Sequence, residues 1–413
     1  MDENRDYDRL ENIKQKLRGM ILEKLDFSRE TGDEEIKDMI DELIIKESKK
    51  ALITLEERSR LRQELFYSIR KLDILQELVD DSDVTEIMIN GTDAIFIERS
   101  GHVTEYELHF ESKEKLEDVI QQIVAGCNRT VNEASPIVDA RLSNGSRVNV
   151  VLSPIALNGP ILTIRRFPDK PIGMRELIAF GSLTEEVEDF LSRLVKAKYN
   201  IFISGGTGSG KTTFLNALSA YIPCDERVIT IEDNAELQIR NIPNLVRLET
   251  RNANVEGCKP VTIRDLIKSS LRMRPDRIVV GEVRGSEAID MMQCLNTGHD
   301  GSMSTGHANS SRDMLSRLET MILMGMDLPL IAVRQQIASG LDIIVHLGRL
   351  RDKSRKVLEI TEIEGFIDNA IKITPLYSFE EEGEDGDGKV MGSLKKKGDL
   401  KNHEKLKAAG ISI

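Results

Sequence analysis

Residues 200–213 read NIFISGGTGSGKTT, and this stretch decides the fold of the second half of the chain. An apolar run ends at Ser204, the pattern G-x-x-x-x-G-K-[ST] occupies residues 205–212, and a helical pattern continues to Ala220. Glycines let the backbone curl so that its N–H groups point at anionic oxygens, and the following helix adds positive potential at its N-terminus. The stretch therefore predicts a strand, a phosphate-binding loop and a helix, in that order.

The residue types in this loop are those that hold a nucleoside triphosphate. Lys211 supplies a mobile positive charge for the β- and γ-phosphates, and Thr212 supplies a hydroxyl group for Mg²⁺. ATP and Mg²⁺ are therefore the predicted cofactors. The predicted nucleotide-binding residues of this segment are Gly205, Gly206, Thr207, Gly208, Ser209, Gly210, Lys211, Thr212 and Thr213.

Acidic residues end two of the next predicted strands. Residues 227–232 read RVITIE and are followed by Asp233, and residues 277–283 read RIVVGEV and carry Glu282. Since the carboxyl ends of parallel strands meet at the ligand crevice, Glu232 or Asp233 should lie within reach of the γ-phosphate. An apolar strand ending in an acid is also the form expected of a strand that organises Mg²⁺, which makes Glu282 a candidate.

Two histidines flank a strand predicted at 301–305. His307 follows the carboxyl end of this strand and is predicted to contact phosphate or to relay the state of the nucleotide. His299 precedes the strand and is the weaker candidate.

Two adjacent arginines lie on a strand predicted at 161–167, in the first half of the chain. Strand alternation sends Arg165 and Arg166 to opposite faces. One is expected to be structural, and the other is expected to point across a linker into the nucleotide crevice. The sequence leaves open which one does so.

The first half of the chain reads as a helical segment followed by a mixed region. Residues 1–75 carry apolar side chains at helical spacing, and two pairs with capping-box spacing, Thr31 with Glu34 and Thr54 with Glu57, are expected to start helices. Residues 76–167 alternate strand patterns, among them 84–90 and 103–110, with one helix that Ser112 is expected to cap. An α+β domain is therefore predicted there.

The second half reads as an α/β domain. Pro168, Pro171 and Gly173 break the preceding pattern, so a linker is predicted at 168–183. Strands and helices then alternate through 184–413, which is typical of a mostly parallel sheet. After residue 341 only antiparallel strands are expected, and the acidic stretch 380–388 (EEEGEDGDG) is expected to form a solvated hairpin or loop.

Composition restricts the class of protein. The 413 residues include 70 acidic and 57 basic side chains, a formal net charge of −13, which argues against a protein whose main role is to grip nucleic acid. The acidic amino terminus and the short apolar runs favour a soluble, cytoplasmic chain without a signal peptide. No CxxC pair occurs, which argues against a zinc ribbon. In a cytosolic protein, reduced thiols are then expected at all four cysteines, which are Cys127, Cys224, Cys258 and Cys294.

Several ordered motifs jointly resemble the type II/IV secretion system ATPases, and the nearest branch is the CpaF-like ATPases of tight-adherence (Flp) pili. The family's Walker A loop is similar to GGTGSGKTT, its Asp box to VITIEDNAELQI, its Walker B segment to LRMRPDRIVVGEVRG and its His box to NTGHDGSMSTGHAN. Its amino-terminal domain is similar to VTEIMING, DARLSNGSRVNVVLSP and ILTIRRF. Gly306 departs from the pattern, because related sequences more often carry a larger apolar residue there.

This resemblance implies a fold and a set of roles. It implies a RecA-like ATPase domain at 184–413 behind a PAS-like domain at 76–167, assembled as a homohexamer with ATP between the two domains. Glu232 would be the general base, Glu282 would organise metal and water, and His307 would sense the γ-phosphate. The arginines that would reach phosphate from the amino-terminal domain are Arg147, Arg165 and Arg166.

The function implied is a motor ATPase that couples ATP hydrolysis to pilus assembly or protein secretion. Its partner would be an inner-membrane platform protein, so the chain would be peripheral at the inner face of the membrane, and no DNA is expected. Two alternatives stay open. One is a nucleic-acid-translocating ATPase of the conjugation type on the same RecA-like core, and the other is a non-catalytic scaffold gated by nucleotide.

Overall fold

The computed structural model describes residues 2–25, 31–99, 101–127, 129–142, 144–166, 171–251 and 259–412. The chain divides into two compact units, Met1–Asp169 and Lys170–Ile413. Cys258 and residues 167–170, which include the end of the predicted strand at 161–167 and the start of the predicted linker, lie outside the described residues. Among those described, no helix is both long and apolar enough to cross a membrane.

The first unit begins with three helices around a small apolar core, namely α1 (Asp2–Lys24), α2 (Asp33–Ser48) and α3 (Leu55–Arg70). The predicted capping box at Thr54 is confirmed, because its side chain accepts a hydrogen bond from the backbone of Glu57 and the Glu57 carboxylate accepts one from the backbone of Thr54. The other predicted box is wrong. Helix α2 is preceded by Gly32 and has no side-chain cap, so Thr31 and Glu34 do not form one.

The rest of the first unit is an antiparallel sheet with helices beside it. The described strands follow the order β3-β2-β1-β6-β5-β4, and helix α5 starts at the predicted cap Ser112. The predicted strand at 103–110 is shorter than expected and ends at Glu105. The elements are α4 (Leu75–Asp80), β1 (Val84–Asn90), β2 (Ile95–Arg99), β3 (His102–Glu105), α5 (Lys113–Gly126), β4 (Ile137–Arg141), β5 (Arg147–Val151) and β6 (Ile161–Arg165).

In the second unit the described strands form one sheet in the order β15-β14-β13-β12-β7-β11-β10-β8-β9. The six strands from β12 to β9 are parallel, and those around β7 are buried on both faces, as a parallel sheet between helices requires. The elements are α6 (Met174–Ala179), α7 (Glu185–Lys196), β7 (Ile201–Gly205), α8 (Lys211–Ser219), β8 (Val228–Glu232), β9 (Leu245–Glu249), α9 (Ile263–Ser270), β10 (Arg277–Val280), α10 (Ala288–Leu295), β11 (Met303–Gly306), α11 (Ser311–Gly325), α12 (Leu330–Gly340), β12 (Ile343–Arg349), β13 (Arg355–Ile367), β14 (Ala370–Glu384), β15 (Val390–Lys396) and α13 (Glu404–Ala408).

Three features of this unit differ from the sequence expectation. Strand β12 runs parallel to β7, although only antiparallel strands were expected after residue 341, and helix α13 follows the last strand. Helix α6 lies inside the predicted linker, and its Met174 and Leu177 are buried in the core of the second unit. In each case the structure that forms depends on burial against a strand or helix that is distant in sequence, and a local sequence pattern does not indicate such packing.

The acidic stretch 380–388 forms a hairpin, which is one of the two forms that the sequence predicted for it. Strands β14 and β15 pair across it, and Asp385 accepts a hydrogen bond from the backbone of Lys389. Basic side chains neutralise part of the stretch: Glu382 pairs with Lys395, and Glu381 pairs with Arg351.

Candidate nucleotide-binding site

The loop between β7 and α8 has the backbone that its glycines were predicted to permit. Gly208 and Gly210 have φ of +71° and +92°, in the left-handed region that other residues rarely adopt. Gly205 is tightly enclosed, because a Cβ built on it would lie 2.5 Å from the Leu347 carbonyl oxygen and 2.6 Å from Ser209 Oγ. The predicted order of strand, loop and helix is therefore present.

Lys211 is folded back into this loop. Its Nζ donates to the carbonyl oxygens of Gly205 and Gly206, at 3.1 and 2.9 Å, and lies 3.2 Å from His307 Nδ1. An ammonium group has only donors, so Nδ1 must accept and the neutral ring carries its proton on Nε2. Burial, with the charge of Lys211, lowers the pKa of His307 and keeps the ring neutral.

His307 connects the loop lysine to Glu282. His307 Nε2 lies 2.7 Å from Glu282 Oε1, and Arg284 Nη2 donates to Glu282 Oε2 at 2.7 Å. Burial alone would raise the pKa of Glu282, but the hydrogen bond and charge of Arg284, with the charge of Lys211, outweigh it and lower that pKa. Glu282 is therefore a carboxylate at neutral pH.

Glu232, at the end of β8, has a different environment. Its side chain accepts two backbone hydrogen bonds at Oε2, from Glu236 at 2.7 Å and from Leu237 at 2.8 Å. Oε1 is buried and has no hydrogen-bond partner among the described residues. Burial raises the pKa of Glu232 to about 7, although the two backbone hydrogen bonds oppose the shift. A carboxyl group with that pKa is suited to accept a proton at neutral pH.

Asp233 follows Glu232 but faces another partner. Its Oδ2 lies 3.8 Å from Arg284 Nη1, and burial raises its pKa. Arg284 thus lies between Asp233 and Glu282, a position that the sequence reasoning did not assign to it. Its location two residues after Glu282, at the end of the same apolar run, was the available signal.

The sheet brings four predicted site residues to one edge. Lys211 follows β7, His307 follows β11, Glu282 follows β10 and Glu232 ends β8, and these four strands are neighbours in that order. Thr212 and Thr213 lie half-buried in the first turn of α8. The weaker candidate of the two histidines, His299, lies before β11, and its Nδ1 is 3.2 Å from the carbonyl oxygen of Cys294.

The three predicted arginines lie in the first unit. Arg147 lies directly opposite Arg165 in the β5–β6 pair, so the two side chains share a face of the sheet. That face is the one away from Val148 and Ile164, which are fully buried. Arg166 follows the strand, and its Nη1 is buried without a hydrogen-bond partner among the described residues. The register therefore groups Arg165 with Arg147.

These residues fit ATP and Mg²⁺ by their chemistry. The left-handed glycines and the start of α8 form a cradle of backbone N–H donors, which suits phosphate oxygens. Thr212 would hold Mg²⁺ by its hydroxyl group and Glu282 through water, and the ion would supply charge compensation for the phosphates.

The strand, loop and helix define the class of P-loop proteins. A family model described as "Type II/IV secretion system protein" matches residues 69–385. The chain belongs to the type II/IV secretion system ATPase family. It is 34% identical over 293 residues to a putative conjugal transfer protein of Mycobacterium tuberculosis, covering 70% of this chain and 83% of that protein.

A further relative agrees with this assignment, and one solved structure has a similar fold. The type IV secretion system protein VirB11 of Brucella suis is 31% identical over 304 residues, covering 67% of this chain and 84% of VirB11. The crystal structure of the pilus retraction motor PilT with bound ADP has a TM-score of 0.51 and 16% identity, covering 82% of this chain and 85% of PilT. At that identity the likeness to PilT is one of fold.

The predicted role of Glu232 as a general base implies that ATP hydrolysis depends on pH. A general base must be unprotonated, and burial raises the pKa of Glu232 to about 7. We expect kcat/KM for ATP to fall about tenfold for each pH unit below that value and to level off above it. Phosphate release measured from pH 5.5 to 9 checks this. A profile that is flat down to pH 5.5 would contradict the role of Glu232.

Proposed function

We propose that this chain is a motor ATPase that couples ATP hydrolysis to protein secretion or pilus assembly. The observation that carries the proposal is Glu232, a buried acid at the same sheet edge as the phosphate loop. Its pKa is near neutrality, and its Oε1 has no hydrogen-bond partner in the described part of the chain. A non-catalytic scaffold has no need of such a group.

Each residue has a proposed role in hydrolysis. Lys211 exchanges its loop carbonyls for the β- and γ-phosphates, and Glu232 takes a proton from the attacking water. His307 touches both Lys211 and Glu282, so a movement of Lys211 toward phosphate changes the contacts of His307. This is the support for a γ-phosphate sensor at His307, and Glu282 positions metal and water.

The assembly and the partners are proposed from the family. VirB11 is named as a type IV secretion system protein and PilT as a pilus retraction motor. We propose a homohexamer that acts on an inner-membrane platform protein from the cytoplasmic side, within the CpaF-like branch. The antiparallel sheet and helix α5 support a PAS-like amino-terminal domain, and Arg147, Arg165 and Arg166 would bind phosphate from it.

A second candidate is a nucleic-acid-translocating ATPase of the conjugation type. The similarity to a putative conjugal transfer protein favours it, and the net charge of −13 counts against it. Phosphate release measured with and without single- and double-stranded DNA, over a range of salt concentrations, separates the two. Stimulation by DNA that disappears steeply with salt would favour the second candidate.

The second unit alone is expected to be a poor ATPase. Because α6 is buried in its core, the fragment should begin at residue 171 and not at 184. We expect residues 171–413 to fold, to bind ATP weakly, to hydrolyse it slowly and to stay monomeric, since the proposed phosphate-binding arginines are absent. Light scattering and phosphate release test this. Full turnover by a hexamer of the fragment would contradict a role for Arg147, Arg165 and Arg166.

A further inference from the structure

The turn between β12 and β13 lies beside the phosphate-binding loop. Strand β12 runs parallel to β7, so its carboxyl end reaches the edge of the sheet at which the loop begins. The Leu347 carbonyl oxygen lies only 2.5 Å from where a Cβ of Gly205 would be. The turn carries three arginines, Arg349, Arg351 and Arg355, and the structure gives each a different environment.

Arg355 contacts the phosphate loop at Gly208 and Gly210. Its Nε donates to the Gly208 carbonyl oxygen at 2.9 Å, and its Cδ lies 3.4 Å from where a Cβ of Gly210 would be. Arg351 is neutralised by acids, because it pairs with Glu381 at 2.7 Å and also with Glu384. Both of these arginines therefore have partners within the protein itself.

Among the described residues, Arg349 has neither a loop carbonyl oxygen nor an acid as a partner. It is exposed, lies directly opposite Arg355 in the β12–β13 pair, and has no acid within ion-pair distance among the described residues. Its Nη1 lies 3.9 Å from where a Cβ of Gly208 would be. A guanidinium group without an ion-pair partner in the described part of the chain therefore lies beside the phosphate loop at Gly208.

The sheet order decides which end of a nucleotide this arginine would meet. The acids and His307 follow β11, β10 and β8, on one side of β7, and β12 lies on the other side. The phosphate that is cleaved must lie toward the acids. Arg349 therefore lies toward the part of the nucleotide that is not transferred.

We propose that Arg349 binds a phosphate that ATP and ADP share, from within the same chain as the loop. The proposal rests on the proposed function, since it assumes that the loop binds nucleotide. A guanidinium group suits this contact because it is permanently charged and forms two parallel hydrogen bonds to phosphate oxygens.

The test is calorimetric titration of the full chain with ADP and with ATP, in the presence of Mg²⁺. We expect Arg349→Ala to weaken the binding of both nucleotides by a similar factor, about tenfold, because one charge-assisted contact is lost from each. Arg351→Ala is the matched control, since it removes the same charge from the same turn, and its affinities should stay within about twofold of the wild type.

Three outcomes would overturn the proposal. They are unchanged affinities in Arg349→Ala, a loss for ATP without a loss for ADP, and an equal loss in Arg351→Ala. Failure of the wild-type chain to bind either nucleotide would instead refute the proposed function. Circular dichroism of both variants should match the wild type, because both side chains are on the surface.

Discussion

Replacement of Lys211 with alanine is expected to abolish ATP binding and turnover while the fold persists. The structure gives the reason for both parts. Lys211 Nζ is the positive charge inside the loop, and it is tied to the Gly205 and Gly206 carbonyl oxygens and to His307 Nδ1. Without it the phosphates lose their point charge, and His307 loses the contact that joins it to the loop.

The same hydrogen bonds determine how much the substitution is expected to lower the free energy of unfolding. Lys211 fills no apolar core, but its loss leaves two loop carbonyl oxygens without this donor, so we expect a destabilisation of about 1–2 kcal/mol. ATP titration, phosphate release and thermal melting measure the three effects. Lys268→Ala, on the exposed side of α9, is a control that should change none of them by much. Nucleotide affinity of Lys211→Ala equal to the wild type would refute the assignment of the loop.

The second large effect is expected at Glu232. Glu232→Gln should keep nucleotide binding and slow hydrolysis by roughly 10²–10⁴-fold, the usual contribution of a positioned base. Asp233→Asn is the matched comparison, since it changes the neighbouring acid, which faces Arg284 and not the backbone of Glu236 and Leu237. Single-turnover phosphate release, measured after ATP binding has saturated, separates the chemical step from affinity. Normal turnover by Glu232→Gln with a defect in Asp233→Asn would reverse the two roles.

A stability measurement accompanies this prediction. The raised pKa of Glu232 means that its ionised form destabilises the folded state, with the penalty growing as the pH rises from the usual 4.5 through about 7. Glu232→Gln removes that charge, so it should melt at a higher temperature than the wild type at pH 8 and show little gain at pH 4.5. A slow and destabilised variant would indicate a folding defect instead of a lost base.

The sequence was most informative where local chemistry sets local structure. The loop at 205–212 has to be a turn of glycines before a helix, because its own pattern permits little else. Thr54 and Ser112 cap their helices as the spacing predicted, and the apolar run at 84–90 forms β1 with the predicted ends. The shared position of the acids that end apolar strands could also be predicted, since a parallel sheet brings those ends to one edge.

Local patterns failed where a distant partner decides the outcome. Thr31 and Glu34 have capping-box spacing, yet the N-cap is one residue later, at Gly32, and helix α2 starts at Asp33 without a side-chain cap. Residues 174–179 follow a proline and a glycine and read as linker, but burial of Met174 and Leu177 in the second unit's core makes them a helix. Arg277, the first residue of the apolar run 277–283, is fully buried and donates to the carbonyl oxygens of Val195 and Gly301, partners that the local sequence does not indicate.

By itself the sequence determined where the glycine-rich loop, its lysine and the accompanying acids lie in the strands and helices, and their roles were predicted from residue type and spacing. Only the tertiary structure decided how the acids differ. Burial raises the pKa of Glu232, whereas the hydrogen bond and charge of Arg284 lower the pKa of Glu282 and hold it as a carboxylate. The tertiary structure also places β12 beside β7. Arg349 therefore lies next to the loop, although about 140 residues of sequence separate them. Protonation and contact depend on what surrounds a group in space, and the order of residues along the chain does not contain that information.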